Sequence, residues 1–170
     1  MLSFDRRILR AWARLFLPLS AVLFLAACGF TPVYAPGGTA SALRGKVEVA
    51  APDTVNSYLL VQNLEERLGR PNQPAYSLSL VLATGEQGQA VTASNETTRY
   101  SIVGKVDYVL SDISSKDIVA SGSVDNFTGY SATGSTIETL ASERDAHARL
   151  MVILADQITT QLYATADLPE

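Results

Sequence analysis

Apolar and polar side chains alternate along three stretches of the chain, residues 75–84, 99–112 and 117–131, and each stretch predicts a β-strand. The apolar positions of the three strands are Tyr76, Leu78, Leu80 and Leu82, then Tyr100, Ile102, Val106, Tyr108 and Leu110, then Ile118, Ala120 and Val124. The opposite positions include the small polar residues Ser77, Ser79, Ser101, Ser121 and Ser123. This asymmetry predicts a sheet that is covered on one face and exposed to water on the other.

A shorter alternating stretch, residues 46–50, predicts a further strand with Val47 and Val49 facing inward. A helix is expected directly after it, because Asp53 or Thr54 can cap a helix and Gly69 with Pro71 can end one. The apolar face expected for this helix consists of Tyr58, Leu60, Val61, Leu64 and Leu68.

The last helix is predicted over residues 136–163. Ser135 and Glu138 have the spacing of a capping box, and Asp145 and Arg149 form an i,i+4 pair. The apolar stripe of this helix comprises Ile137, Leu140, Ala141, Ala148, Met151, Leu154, Ile158 and Leu162.

The order of the predicted elements is β-α-β-β-β-α, which indicates an α+β fold over residues 46–165. We expect a two-layer sandwich, in which a four-stranded, mostly antiparallel sheet carries two helices on one face. The first β-α-β step predicts one parallel strand pair with a right-handed crossover. The polar stretch 85–96 is expected to be a connection between strands.

Residues 1–27 have the layout of a signal peptide. Four arginines and one aspartate give this segment a net charge of +3, and an apolar stretch from Leu15 to Ala27 follows. This stretch is shorter than the ~20 residues that span a bilayer, which suits a signal peptide, and the small residues directly before Cys28 favour cleavage over a retained membrane anchor. Arg6 and Arg7 leave open whether export uses the Sec or the twin-arginine route.

Cys28 is the only cysteine of the chain, so it has no partner for an intrachain disulfide. The sequence Leu25-Ala26-Ala27-Cys28 resembles a bacterial lipobox. The resemblance implies cleavage before Cys28, diacylation of its sulfur and usually acylation of its amine, with fatty acids such as palmitate. Gly29 replaces the aspartate that commonly marks inner-membrane retention, which suggests the outer membrane of a Gram-negative cell.

The segments on either side of the predicted domain lack a periodic pattern. Residues 28–45 are expected to be an acylated, flexible tether, and residues 166–170 a disordered tail.

The charge balance and the motifs limit the class of function. Residues 28–170 contain 9 basic and 16 acidic residues, a balance that argues against nucleic-acid binding. The sequence has no nucleotide-binding, hydrolase or metal-site motif, and its one histidine, His147, is expected to pack on the rim of the last helix. We therefore expect neither an enzyme nor a cofactor.

Two segments together resemble the LptE family of lipopolysaccharide-assembly lipoproteins, in its alphaproteobacterial form. They are CGFTPVY (residues 28–34) and RDAHARLMVILADQITTQL (residues 144–162). The resemblance implies a plug inside the outer-membrane β-barrel LptD, with which the lipoprotein inserts lipopolysaccharide into the outer leaflet. It places Phe30, Pro32 and Tyr34 near the membrane and the inner rim of the barrel.

Some family members bind lipopolysaccharide through basic side chains. The candidates that this resemblance gives here are Arg99, Lys105 and Arg144; the alternative is that they are solvated surface charges. Two other functions stay open at this point. The chain could be an accessory or ligand-binding subunit of another envelope complex, facing the periplasm, or, as the weakest alternative, a lipoprotein enzyme that uses carboxylates.

Overall fold

A computed structural model describes residues 34–35, 37–91 and 97–168 of the chain. The expected signal peptide, Cys28, Phe30 and Pro32 lie outside the described residues. The elements in chain order are α1 (Thr39–Leu43), β1 (Val47–Val49), α2 (Val55–Leu68), β2 (Tyr76–Val91), β3 (Thr97–Asp112), β4 (Ile118–Ser131) and α3 (Thr136–Thr165). The expectation of an α+β fold with this order of strands and long helices is confirmed, and α1 is an additional element.

The four strands form one mixed sheet in the order β1-β2-β3-β4. β1 pairs parallel to β2, with Val47 opposite Tyr76, whereas the other two pairs are antiparallel. Tyr108 lies opposite Leu80 on one side and opposite Gly122 on the other. The inward apolar positions of neighbouring strands therefore form one continuous surface, and the long helices α2 and α3 bury it.

The structure moves one predicted inward residue of β4 to the other face. Ala120 lies opposite Leu110, but Ile118 lies opposite Ser111, so the pairing slips by one residue between them. Because successive side chains of a strand point to opposite faces, this irregularity turns Ile118 outward, where it is exposed. The prediction that Ile118 faces the core is wrong for this reason.

Helix α2 begins and ends where its sequence predicts. The Thr54 hydroxyl accepts a hydrogen bond from the Ser57 amide, the Ser57 hydroxyl accepts one from the Thr54 amide, and Gly69 ends the helix with φ 79°. Leu60, Val61, Leu64 and Leu68 are buried as expected. The prediction is wrong for Tyr58, which is 60% exposed. Tyr58 precedes Leu60 by two residues, so its side chain lies about 200° around the helix axis from the buried side chain of Leu60.

The stretch expected to be a loop from residue 85 onward is mostly strand. β2 continues to Val91, with Gly85 opposite Val103 and Gln87 opposite Ser101. Glycine and glutamine have little intrinsic preference for strands, so this extension depends on the partner β3, whose β-branched and aromatic residues form the other half of the hairpin.

Helix α3 has the predicted capping box: the Ser135 amide donates to the Glu138 carboxylate at 2.7 Å. Its buried residues include the predicted Met151, Leu154, Ile158 and Leu162, and also Ala146, Leu150 and Ala155. The prediction is wrong at the start of the stripe, where Ile137 is 81% exposed and Leu140 is also exposed. Asn56, at the start of α2, contacts His147, which lies about three turns after the start of α3. The first three turns of α3 therefore extend beyond the start of α2.

Two segments expected to be unstructured pack on the core instead. Within the supposed tether, α1 buries Ala40 and Leu43. After α3, the Asp167 amide donates to the Val119 carbonyl at 2.9 Å, and Leu168 packs against the core. The prediction of unstructured chain is therefore wrong for Thr39–Leu43 and for residues 166–168. A five-residue helix contains too few turns to show a periodic pattern.

Candidate functional site

The outer sheet face, which is the face of β2, β3 and β4 turned away from the helices, carries mostly small side chains. Strand alternation positions them there, because their neighbours in sequence are the core residues. They are Ser77, Ser79, Ala83, Gly85, Ser101, Ser121, Ser123 and Gly129. The five serines predicted for this face all lie on it. Between the charged side chains of this face, the small residues leave the surface low in relief.

Exposed apolar side chains interrupt this polar surface. Unlike the serines, these apolar residues were not predicted to lie on the outer sheet face. Phe127 and Ile118 are each 65% exposed, and Val81 is 68% exposed. Phe127 lies opposite Val103 in the neighbouring strand. The alternation pattern contained this signal for Val81 and Phe127, which occupy the same phase as the outward serines, whereas Ile118 is exposed only because of the register slip in β4. The outer sheet face therefore combines hydroxyl groups with separate apolar side chains.

Lys105, one of the three candidate lipopolysaccharide contacts, lies in the middle of this face between two carboxylates. Its Nζ is 3.1 Å from Oδ1 of Asp107, and Asp125 is its direct neighbour across β4. The hydrogen bond from the Ser123 hydroxyl, followed by the bond from Lys105, lowers the pKa of Asp107 below its usual value. The charge of Lys105 is thus balanced within the sheet.

The structure does not bring the three basic candidates together. Arg99 lies on the outer sheet face, six residues along β3 from Lys105, a separation of about 20 Å. Arg144 lies on α3, in the helix layer on the other side of the sheet. Both side chains belong to exposed residues. A single phosphate group cannot contact all three candidates at once.

A tyrosine pair marks the helix-facing side of the long hairpin. The rings of Tyr100 and Tyr130 stack with centroids 5.3 Å apart. The Tyr130 hydroxyl donates a hydrogen bond to the Glu86 carboxylate at 2.6 Å. Burial, this hydrogen bond and the negative charges of Glu86 and Glu143 raise the pKa of Tyr130. The contact joins β4 to β2 across β3, and no local pattern in the sequence indicates it.

Tyr34, the first residue that the structure describes, packs at one end of the domain. Its ring contacts the ring of Tyr163 edge-on, with centroids 5.8 Å apart, although Tyr34 is 77% exposed. We call this end, where β2 begins and α3 finishes, the Tyr34 end. A cleft of about 400 Å³ lies beside the two rings and includes Arg67, which donates to Asp156 at 2.5 Å.

His147, the histidine considered for catalysis, lies in the contact between the two long helices. Its Nδ1 is 3.2 Å from the side-chain nitrogen of Asn56. Across residues 34–35, 37–91 and 97–168, no three histidine, cysteine, aspartate or glutamate side chains are grouped as metal ligands. Of the helices that the structure describes, none has the length and apolar character needed to cross a membrane.

Comparison with known proteins gives a consistent result. The model of the LptE family, described as lipopolysaccharide-assembly, matches residues 45–162. A protein of Caulobacter crescentus CB15 described as a lipoprotein has a TM-score of 0.60 and 25% identity, over 74% of this chain and 93% of that chain. Rare lipoprotein B of Shewanella oneidensis has a TM-score of 0.55 and 10% identity, over 71% and 93%.

A lipoprotein B of Nitrosomonas europaea is similar in fold as well, with a TM-score of 0.54 and 14% identity, over 71% of this chain and 83% of that chain. No curated protein sequence matches this chain. The family match spans more than two thirds of the sequence and includes all four strands, helix α2 and most of helix α3. The chain therefore belongs to the LptE family of lipopolysaccharide-assembly proteins.

Proposed function

We propose that this protein is an outer-membrane lipoprotein that forms the lipopolysaccharide translocon with an LptD β-barrel. It acts as a plug of the barrel and as a factor for its assembly, and it carries out no catalysis. The observation that carries the proposal is the family match over residues 45–162, which covers the domain from the end of α1 almost to the end of α3.

The outer sheet face supports the role of a plug. The lumen of a large outer-membrane barrel is polar and contains water. A surface of serine, alanine and glycine residues can approach such a wall closely. The ion pair between Lys105 and Asp107 offsets one of the two carboxylates in the middle of the face, and the carboxylate of Asp125 remains beside it. The exposed Phe127 and Val81 add apolar contact area.

We further propose that acylated Cys28 holds the protein on the periplasmic side of the outer membrane. Tyr34 is six positions after Cys28, so the Cα atoms of the two residues lie within about 20 Å of each other. The contact between Tyr34 and Tyr163 supports an attachment point near the Tyr34 end. The 16 residues of β2 extend about 50 Å from that end.

Among the candidate lipopolysaccharide contacts, we propose that Arg99 and Arg144 are better placed for phosphate groups than Lys105. Within the described ranges Lys105 is engaged by Asp107, whereas Arg99 and Arg144 form no ion pair there. Arginine binds phosphate through two parallel hydrogen bonds, which a lysine cannot form.

Crosslinking of the full, tagged chain in native membranes tests this function. We expect a β-barrel protein of the outer membrane in the crosslinked product, and loss of membrane attachment in the Cys28→Ala variant. Depletion should leave lipopolysaccharide in the periplasm and the barrel misassembled. Recovery of the native protein as a free monomer, with an intact envelope after depletion, would contradict the proposal and favour an accessory role in another complex.

A further inference from the structure

One edge of the sheet is left without a strand over most of its length. β1 pairs with Tyr76, Ser77 and Leu78 only, whereas β2 continues to Val91. Among the residues that the structure describes, no strand pairs with this side of β2 beyond Leu78. Edges of this kind offer unpaired backbone groups to another chain, and proteins usually protect them with charges, prolines, bulges or a covering loop.

The direction of the backbone groups follows from the hydrogen bonds at the start of β2. The Tyr76 amide donates to the Lys46 carbonyl and the Leu78 carbonyl accepts from the Ala50 amide, so these residues point to the β1 side. The register with β3 is unbroken up to Gly88. By the alternation of an antiparallel pair, the amides and carbonyls of Thr84, Glu86 and Gly88 therefore also point outward from the sheet edge.

The unprotected part of the edge has clear limits, and we call residues 83–88 the open edge. Before it, residues 50–54 share a cleft with residues 80–82 and lie beside them. After it, the pairing with β3 is irregular from Gly88 onward, which is one of the devices that blunt an edge. The open edge itself has small or uncharged side chains apart from Glu86, and it contains no lysine and no proline.

The opposite edge of the sheet, β4, differs in this respect. A guanidinium nitrogen of Arg149 donates to the Gly129 carbonyl at 3.1 Å, near one end of β4. The Asp167 amide occupies the Val119 carbonyl near the other end. Groups of this chain thus already cover both ends of β4, so the open edge of β2 is the better template for a further strand.

We infer that the open edge receives an extended segment of the barrel partner, which adds a strand beside β2 and carries a lysine or arginine next to Glu86. This inference rests on the proposed function. Strand addition obtains its affinity from main-chain hydrogen bonds, and the edge supplies three donors and three acceptors. Since the wall of a barrel is closed, the segment belongs to a loop or to the periplasmic part of that partner.

The negative charge of Glu86 and of the whole domain favours a basic segment of the partner over a second copy of the same chain. Two copies that paired antiparallel through this edge would bring their Glu86 carboxylates to the same face at close range. Residues 28–170 of each copy also carry seven more acidic than basic residues. A basic segment of another protein is instead attracted to Glu86, whose carboxylate accepts only the one hydrogen bond from Tyr130 among the described contacts.

The substitution Thr84→Pro tests the inference in the full, acylated chain co-expressed with the barrel. Proline removes an amide hydrogen for which the described residues show no acceptor, and edge strands tolerate it. Thr84→Val keeps that hydrogen and is the matched control. We expect Thr84→Pro to weaken recovery of the complex about tenfold, and Thr84→Val to leave it within twofold of the original. Glu86→Gln, which keeps an acceptor for Tyr130, should weaken recovery severalfold at low salt.

Hydrogen exchange supplies a test that needs no variant. In the complex, the amides of Thr84, Glu86 and Gly88 should exchange at least tenfold more slowly than in the free protein. A complex that forms normally with Thr84→Pro and leaves these amides unprotected overturns the strand addition but not the translocon function. A stable dimer through the edge overturns the inference as well, and failure to recover any barrel overturns both proposals.

Discussion

Gly104 of β3 lies directly beneath Leu150 of α3, with no space for a side chain between them. A Cβ atom at Gly104 would lie 3.0 Å from Cδ2 of Leu150 and 3.1 Å from Cδ1 of Leu154. The absence of a side chain at this inward position allows α3 to approach the sheet closely. The close approach of α3 to the sheet at this point thus depends on one glycine.

Gly104→Val should destabilise the protein because its methyl groups would have to displace Leu150 or Leu154. We expect the free energy of unfolding to fall by about 1–3 kcal/mol, the usual cost of overpacking. Urea denaturation followed by circular dichroism measures it. Gly85→Val is the control, since a Cβ there meets Val103 at an ordinary 3.6 Å on the outer sheet face. Equal losses in both variants would show that strand conformation, not the helix contact, causes the effect.

The apolar stripe of α3 should contribute to stability only from residue 146 onward. Leu150 is fully buried, whereas Leu140 is 44% exposed. We expect Leu150→Ala to lower the free energy of unfolding by about 2–5 kcal/mol and Leu140→Ala by less than about 1 kcal/mol. Thermal denaturation of the two variants compares them. Similar losses would mean that the first turns of α3 pack as firmly as the rest.

Acid should weaken the start of α3 through Glu138. Hydrogen bonds from the Ser135 amide and side chain lower the pKa of Glu138 in the folded state. The unfolded chain therefore binds a proton at higher pH than the folded one, so this stabilisation is complete above the ordinary pKa near 4.5 and is lost as pH falls through the lowered value. Between pH 6 and pH 3, Glu138→Gln should lose less stability than the original protein. Parallel stability curves would contradict this explanation.

Lys105→Ala should change binding of purified lipid A to the protein by less than twofold, because Asp107 and Asp125 already balance this charge. Arg99→Ala should have the larger effect, since Arg99 lies exposed at the far part of β3 without an ion pair in the described ranges. Equilibrium binding in detergent measures both variants. A stronger loss from Lys105→Ala would show that Lys105 exchanges its carboxylate partners for phosphate.

Local signals in the sequence were sufficient for most of the secondary structure. The capping residues Thr54 and Ser135 fix where the long helices begin, and period-two alternation identifies β2, β3 and β4. These signals are strong because each depends on near neighbours in the chain. The extension of β2 over residues 85–91 was missed because glycine and glutamine acquire strand conformation here from pairing with β3.

The candidate site was predictable only in part. The outward serines follow from alternation, but the ion pair of Lys105, the bond from Tyr130 to Glu86 and the contact of Tyr34 with Tyr163 join residues whose positions no local pattern relates. The contact of Tyr34 with Tyr163 joins residues 129 positions apart. Only the packing of the layers sets such distances.

The sequence by itself determined the elements, their order and the apolar face of the sheet, because these depend on residues that are near one another in the chain. Two short segments, residues 28–34 and 144–162, indicated the family. The tertiary structure alone decided which apolar residues are covered and which edge stays unpaired. Burial is a property of neighbours in space: Ile137 and Leu150 belong to one helix, yet only Leu150 has a sheet beneath it. Similarly, β1 pairs with only three residues of β2, and that length leaves the edge beyond Leu78 open.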